Sequence, residues 1–304
     1  MVSVARKKSK KITALFDRVA FIGIGLIGSS MALAMRRSGL VGSSIACARR
    51  AKTRKAALSL DIVDEVTSDC SKAVFGADLV VIATPMGAYE AIAAKIGPSL
   101  KPGTILTDVG SVKREAVAAI APHIPKGVHF VPGHPVAGTE HSGPEAGFAD
   151  LFEGRWCILT PSSEVSNKAV SKLSTLWRKM GAKVDLMEPD HHDAVLAITS
   201  HLPHLIAYTI VGTAADLSDD LKREVIKYSA SGFRDFTRIA ASDPVMWRDI
   251  FLSNRDSILE TLQRFTEDLT GLQRAIRRSD GKALEDLFIR TRKIRRGIIG
   301  AKQA

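Results

Sequence analysis

The chain has 304 residues, 45% of them hydrophobic and 25% charged, enough for about two domains with buried cores. Its net charge of +11 is confined to the ends: Arg6, Lys7, Lys8, Lys10 and Lys11 precede residue 16, and Arg290, Arg292, Lys293, Arg295, Arg296 and Lys302 follow Asp286. Such terminal runs are solvated tails, so nucleic acid is not expected as a partner. No apolar run approaches the ~20 residues of a membrane span, and no apolar region follows the basic start, so neither a membrane nor a secretory route is expected. Cys47, Cys70 and Cys157 form no C-x-x-C pair, which speaks against zinc or a disulfide framework and for a reducing, cytoplasmic setting.

After the basic tail (1–15), the apolar run Val19–Ile22 enters Gly23-Ile24-Gly25-Leu26-Ile27-Gly28, and a small-residue helix leaves it. This is the order of a dinucleotide-binding βαβ unit. Gly23 allows the tight turn, Gly25 admits a pyrophosphate and Gly28 lets helix and strand pack closely, so Gly23, Gly25, Leu26, Ile27 and Gly28 form the expected cofactor turn. Further runs at Ser44–Ala48, Leu79–Ala83, Thr104–Thr107, Val128–Val131 and Trp156–Thr160, with a weaker one at Val184–Met187, alternate with helical patterns. They predict an α/β, Rossmann-like, doubly wound and mostly parallel sheet over residues 16–187. Ligands bind beyond the carboxyl ends of such strands, so the residues after each run are site candidates.

Arg49 and Arg50 follow the second run, where an acid reading the ribose hydroxyls would favour NAD. Two cations suit a 2′-phosphate instead, so NADP is favoured and NAD remains possible. Thr84-Pro85 leaves the third run beneath the expected cofactor. The fourth opens Asp108-Val109-Gly110-Ser111-Val112-Lys113, where Ser111 either orients a hydroxyl or a nicotinamide amide, or simply caps a helix. After the fifth comes Gly133-His134-Pro135, a stiff loop whose imidazole suits a general base taking a hydroxyl proton as hydride leaves.

From Glu188 onward the strand signals stop, and an all-α domain is expected over 188–304. Residues 190–217 are helical in period, with Val195, Ile198, Leu202, Leu205 and Ile206 on one apolar face. Pro203 would free the carbonyl of Thr199 and kink that helix. The four histidines His191, His192, His201 and His204, the second followed by Asp193, admit a metal reading, but without a carboxylate or cysteine at ligand spacing hydrogen bonding or packing around the kink is favoured. Arg234 and Arg238 lie one turn apart, and an arginine facing the interdomain cleft would suit a carboxylate. Asp243-Pro244 opens a helix whose continuation carries Ile258, Leu262, Phe265, Leu269, Leu272 and Ile276, a seam for packing along another helix, either a dimer interface or internal core. Asp280 would cap a last helix reaching about Ile299.

The blocks GIGLIGSS (23–30), DVGSVK (108–113), GHPVAGTEHSG (133–143), TSHLPH (199–204), GFRDFTRIAASDP (232–244) and MWRDI (246–250) together resemble the prephenate/arogenate (cyclohexadienyl) dehydrogenase family, from about Phe16 to residue 290. The resemblance implies NAD(P)-dependent oxidative decarboxylation of a cyclohexadiene. His134 would take the ring hydroxyl proton, and Ser111 would position hydroxyl, histidine and nicotinamide. Arg238 would bind a substrate carboxylate, with His204, Trp247, Glu140 and Thr139 about the substrate and Asp193 and Arg234 in a surrounding polar network. It also implies a homodimer through the helical domain. Arg49, where many NAD-using members carry an acid, departs from the family pattern. A β-hydroxyacid dehydrogenase or imine reductase, and a basic, non-enzymatic NADP-sensing or nucleic-acid-associated protein, are the alternatives; the His134 and Arg238 blocks count against the first two.

Overall fold

A computed structural model describes residues 14–216, 224 and 231–300, the side chains of 298–300 excepted. Most of the basic N-terminal tail, Lys302, and the end of the expected 190–217 helix lie outside the described residues. The chain divides into two compact units between Arg255 and Asp256.

The first unit opens with β1 (Phe16–Ile22), α1 (Leu26–Arg37), β2 (Val41–Cys47), α2 (Ala51–Ser59), β3 (Glu65–Thr67), α3 (Cys70–Val74) and β4 (Leu79–Ile82). It continues with α4 (Tyr89–Ile96), β5 (Ile105–Asp108), α5 (Lys113–Ile120) and β6 (His129–Phe130). Six strands form one parallel sheet in the order β3-β2-β1-β4-β5-β6. The order reverses between β1 and β4, which places a ligand crevice beyond Ile22 and Ile82. Strand residues alternate between two cores: Val19, Phe21, Leu79 and Val81 join one, Ala20, Ile22, Val80 and Ile82 the other. Burial on both faces explains why these strands read as continuous apolar runs.

The expected single sheet is in fact two. β7 (Gly133–Pro135), β8 (Trp156–Leu159) and β9 (Lys183–Leu186) form a separate three-stranded sheet, with β7 antiparallel and β9 parallel to β8. His134, expected on a loop, therefore stands on a strand, paired with Ile158. Two prolines and a glycine around it disguise a strand only three residues long. Helix α6 (Asn167–Lys179) buries Trp177 edge-on against Phe152, ring centroids 5.1 Å apart. An aromatic of that size contributes roughly 1.5–3 kcal/mol through burial.

Helix α7 (Pro189–Leu196), a π-helical turn (Ala197–His201) and α8 (Leu202–Ala215) form one continuous stretch. The expected disruption at Pro203 takes the form of that π turn, which accommodates the ring that cannot bond Thr199. The buried side of this stretch carries His192, Asp193, Leu196, Ala197, His201 and Ala207, whereas Ile198, on the face expected to be buried, is 60% exposed. Residues 189–215 have the length and composition of a membrane span. Their buried His192, Asp193 and His201 are instead engaged in hydrogen bonds to other parts of the unit. Asp243 caps the helix Pro244–Ser253 by accepting from the Met246 N–H, as expected. That helix breaks at Asn254 rather than continuing.

The second unit holds the helix Arg255–Arg277 from its second residue onward and the helix Gly281–Gly300, the latter capped by Asp280 through the Ala283 N–H. Of the expected seam, Ile258 is buried, Leu262, Phe265 and Leu272 are half-buried, and Leu269 and Ile276 are exposed.

Candidate active site

The glycine turn is built as a phosphate cradle. Gly23 sits at φ +94°, and a Cβ there would fall 2.5 Å from the Ala83 carbonyl oxygen. At Gly28 a Cβ would meet the Gly23 carbonyl at 2.7 Å, so strand and helix can touch only without side chains. Gly25 faces open space, and it starts α1 with no side-chain cap and no acid in the first turn. The first-turn N–H groups, beginning at Leu26 and Ile27, therefore point a partial positive charge at whatever approaches Gly25. Thr84 packs its methyl against Gly23, and its buried hydroxyl has no protein partner among the described residues. Pro85 is exposed beside it. These features fit a dinucleotide cofactor, which would supply a hydride acceptor at this crevice.

Arg49 and Arg50 follow β2 and are both exposed. The Arg54 guanidinium folds back beneath them, donating to the Ala48 and Arg49 carbonyls at 2.7 Å each. Arg54 is thus a brace for the turn that the sequence reading missed.

A second cluster lies at the end of β5. Asp108 and Lys113 are fully buried and 2.6 Å apart, and the Lys113 ammonium also donates to the Gly133 carbonyl at 2.7 Å. The Asp108 carboxylate further accepts from the Tyr89 hydroxyl, the Gly110 N–H and the Gly133 N–H. Gly110 is required here, because a Cβ would sit 2.6 Å from the Tyr89 hydroxyl. Ser111 is half-buried; Val112 occupies the N-cap position, so the serine is not the helix cap.

His134 is buried beside this cluster, its Nδ1 2.8 Å from Nε2 of His192. His192 Nδ1 lies 2.7 Å from the Asp193 carboxylate. Asp193, expected in the polar network around the substrate, also anchors the start of α5, accepting from the Lys113 and Arg114 N–H groups at 2.7 and 2.9 Å. Burial, then the neighbouring His192, Lys113 and His201, hold the His134 pKa well below the usual imidazole value. Burial likewise lowers His192, partly offset by Asp193. His201 accepts from the Asn254 amide at 3.1 Å, and its Nε2 is buried without a partner among the described residues. Burial brings its pKa down to about 4.

His204 stacks on Trp247, with ring centroids 3.6 Å apart, and donates through Nδ1 to the Ser200 carbonyl at 2.8 Å, leaving Nε2 as an acceptor in the neutral ring. Arg238 and Glu140 form an ion pair at 3.0 Å, with the guanidinium 60% exposed. Thr139 accepts from the His141 N–H and is exposed. Arg234 and its neighbour Asp235 are exposed. The structure thus brings together His134, His192, Asp193 and Lys113 in one network, and His204 with Trp247 in another. Among the described residues, no group of three His, Cys, Asp or Glu side chains converges as a metal site.

Comparison with known proteins agrees with this architecture. The model of the prephenate dehydrogenase nucleotide-binding domain matches residues 31–186, and that of the prephenate dehydrogenase dimerization domain matches residues 188–290. Cyclohexadienyl dehydrogenase of Zymomonas mobilis is 40% identical over 281 residues, covering 92% of this chain and 96% of that protein. Prephenate dehydrogenase of Bacillus subtilis is 33% identical, covering 93% of this chain and 76% of its own length. The crystal structure of Aquifex aeolicus prephenate dehydrogenase with hydroxyphenyl propionate and NAD+ superposes with a TM-score of 0.85 at 34% identity, over 95% of this chain and all of that one. A glycine turn shaped for a nicotinamide dinucleotide, a buried histidine past the parallel sheet and matches to both domains lead to one assignment: the chain belongs to the prephenate dehydrogenase family, oxidoreductases of tyrosine biosynthesis.

Proposed function

We propose that this enzyme oxidises and decarboxylates prephenate or L-arogenate with NADP as the preferred cofactor, and that His134 is its general base. The observation that carries the reading is the setting of His134. Its ring is buried on β7, one nitrogen is held by His192, and the preceding carbonyl is fixed by Lys113 to the end of β5. A neutral imidazole held at that edge can take the proton of a ring hydroxyl while the carbon beneath it loses hydride. Loss of carbon dioxide then makes the ring aromatic, which drives the reaction forward.

Ser111, half-buried in the loop between β5 and α5, orients the substrate hydroxyl toward His134. Arg238 takes a substrate carboxylate in bidentate fashion, exchanging its contact with Glu140 for the stronger fit. The His204–Trp247 stack forms an aromatic wall for the cyclohexadiene, with Glu140 and Thr139 at its rim. Gly23, Gly25, Leu26, Ile27, Gly28, Thr84 and Pro85 cradle the cofactor, and Arg49 and Arg50 read its 2′-phosphate. Division of labour falls near residue 187, with cofactor binding before it and substrate binding and homodimerisation after it. The half-exposed apolar seam Ile258–Ile276 suits the dimer contact. Three free thiols fit a cytoplasmic enzyme.

The test is reduced-nicotinamide formation followed by absorbance, with prephenate and L-arogenate each crossed against NADP and NAD. Turnover with NADP exceeding NAD supports the reading. Folded protein that binds cofactor yet turns over neither substrate defeats it.

A further inference from the structure

We propose that His192 and Asp193 form a relay behind His134 that sets its tautomer and carries away the charge it acquires. The proposal rests on His134 being the base and names how that base is made competent. It follows from three linked distances and the donor inventory of each group.

Asp193 accepts two backbone N–H bonds from the start of α5 in addition to the His192 contact at 2.7 Å. A carboxylate so placed acts as an acceptor, so the His192 Nδ1 carries the hydrogen. In neutral His192 the Nε2 is then a lone pair, and the 2.8 Å contact to His134 requires the hydrogen to sit on His134 Nδ1. One tautomer of His134 remains: Nδ1 protonated, and Nε2 bare and making no hydrogen bond to a described residue. That bare nitrogen is the one a base needs. The reverse arrangement, with Nε2 protonated, would leave His134 with no lone pair at Nε2 to take a substrate proton, its only acceptor being the Nδ1 turned to His192.

The same chain answers an electrostatic problem. His134 lies in a buried setting with Lys113, His192 and His201 around it, all of which oppose a positive charge on its ring. Asp108 commits its carboxylate to Lys113, Tyr89, Gly110 and Gly133 rather than to the His134 ring. Cys157, on the strand paired with β7, is a buried thiol that burial keeps protonated and uncharged. A proton accepted at His134 Nε2 is therefore costly to keep there. When it arrives, the Nδ1 proton can pass to His192 Nε2, so that the charge comes to rest on the ring in direct contact with the Asp193 carboxylate. One proton enters and one moves inward by one ring. The substrate oxygen keeps the electron pair of its broken O–H bond. His192 is thus a positioning residue that never touches substrate, placed by the buried face of α7 that also anchors the start of α5.

The test compares wild type with His192→Gln and His192→Leu in steady-state kinetics across pH, with prephenate and NADP. Gln retains an acceptor for the His134 N–H but cannot take its proton; Leu retains neither. The expected result is a kcat at least about tenfold lower in His192→Gln, lower still in His192→Leu, with KM and NADP affinity within about threefold of wild type. The acid limb of kcat should move to lower pH in His192→Gln, because His134 then bears its charge unaided. A His192→Gln enzyme with wild-type kcat and an unmoved limb overturns the relay. So does a loss shared equally by kcat, KM and NADP affinity with the limb unmoved, which marks a merely structural residue. A readout free of turnover is the nitrogen-15 spectrum of the free enzyme: a protonated Nε2 on His134 at neutral pH also overturns it. Failure of the wild type to turn over either substrate would instead count against the proposed function, so the two failures are distinguishable.

Discussion

The Lys113 ammonium stands 2.6 Å from Asp108 with both side chains excluded from solvent, and the same nitrogen holds the Gly133 carbonyl next to His134. A buried pair of this kind is a weak source of net stability, because desolvation offsets most of the attraction. Removing one partner is another matter. Lys113→Met would leave Asp108 charged in an apolar setting with only Tyr89, Gly110 and Gly133 as donors. The expected loss is roughly 3–5 kcal/mol of folding stability, read by denaturant titration. Turnover of the folded fraction should fall as well, since β7 loses its tie to β5. A variant of wild-type stability would mean that Asp108 is neutral in the folded protein.

His134→Ala should lower kcat by roughly 10²–10⁴-fold, the usual contribution of a positioned acid or base. NADP affinity, measured by fluorescence titration, should stay unchanged, because the glycine turn lies between β1 and α1 whereas the imidazole stands on β7 in the other sheet and bonds His192. Near-normal turnover would remove His134 from the mechanism.

Arg49→Asp should reverse cofactor preference. Losing a charge-assisted contact to a phosphate costs about 1.5–3 kcal/mol, or roughly 10–100-fold in kcat/KM for NADP. The introduced carboxylate can at the same time accept from the ribose hydroxyls of NAD. An unchanged NADP/NAD ratio would show that the 2′-phosphate is read elsewhere, with Arg50 the next cation on that turn.

Arg238→Ala should act mainly on KM, raising it roughly 10–100-fold for loss of a charged hydrogen bond to a carboxylate. Cofactor affinity should not change. A KM equal to wild type would move the carboxylate site away from the Arg238–Glu140 pair.

How much of this was legible in the sequence depends on the reach of each interaction. The six-stranded sheet was largely readable, because β1, β2, β4 and β5 are buried on both faces and so appear as unbroken apolar runs. β3 and β7 were not, being three residues each, with Glu65 in one and Gly133 and Pro135 in the other. The glycine turn was visible because its demands are local. The Lys113–Asp108 pair was invisible as a pair: the sequence shows a polar loop, and only the fold puts both side chains in the dark. His192 stands 58 positions from His134, and next to His191 nothing local separates the two. Helical spacing offered one clue, since residues 192, 193, 196, 197 and 201 share a face. The apolar face through Ile198 is the stronger stripe in the sequence yet Ile198 is exposed, because periodicity shows that a stripe seeks cover without showing whether this chain or another supplies it.

The histidines also predict how stability responds to acid. His134, His192, His201 and His204 are all held below the ordinary imidazole value, chiefly by burial, with His201 at about 4. Between those lowered values and about 6.5, the unfolded chain binds protons that the folded chain refuses. The contribution of these histidines to stability is therefore fully present above pH 6.5 and is lost as the pH drops through that window. His201 alone accounts for roughly 3 kcal/mol of the change by pH 4, being brought from about 6.5 down to about 4. Its side chain is fully buried, so solvent screening offers little relief. The measurement is free energy of unfolding against pH from 8 to 4 for wild type and His201→Asn, the latter keeping a polar group toward Asn254. The variant should lose part of the slope while retaining the part due to His134 and His192. Superimposable slopes would show that His201 is protonated in the folded state, with its orphaned Nε2 and the Asn254 contact rearranged to suit a cation.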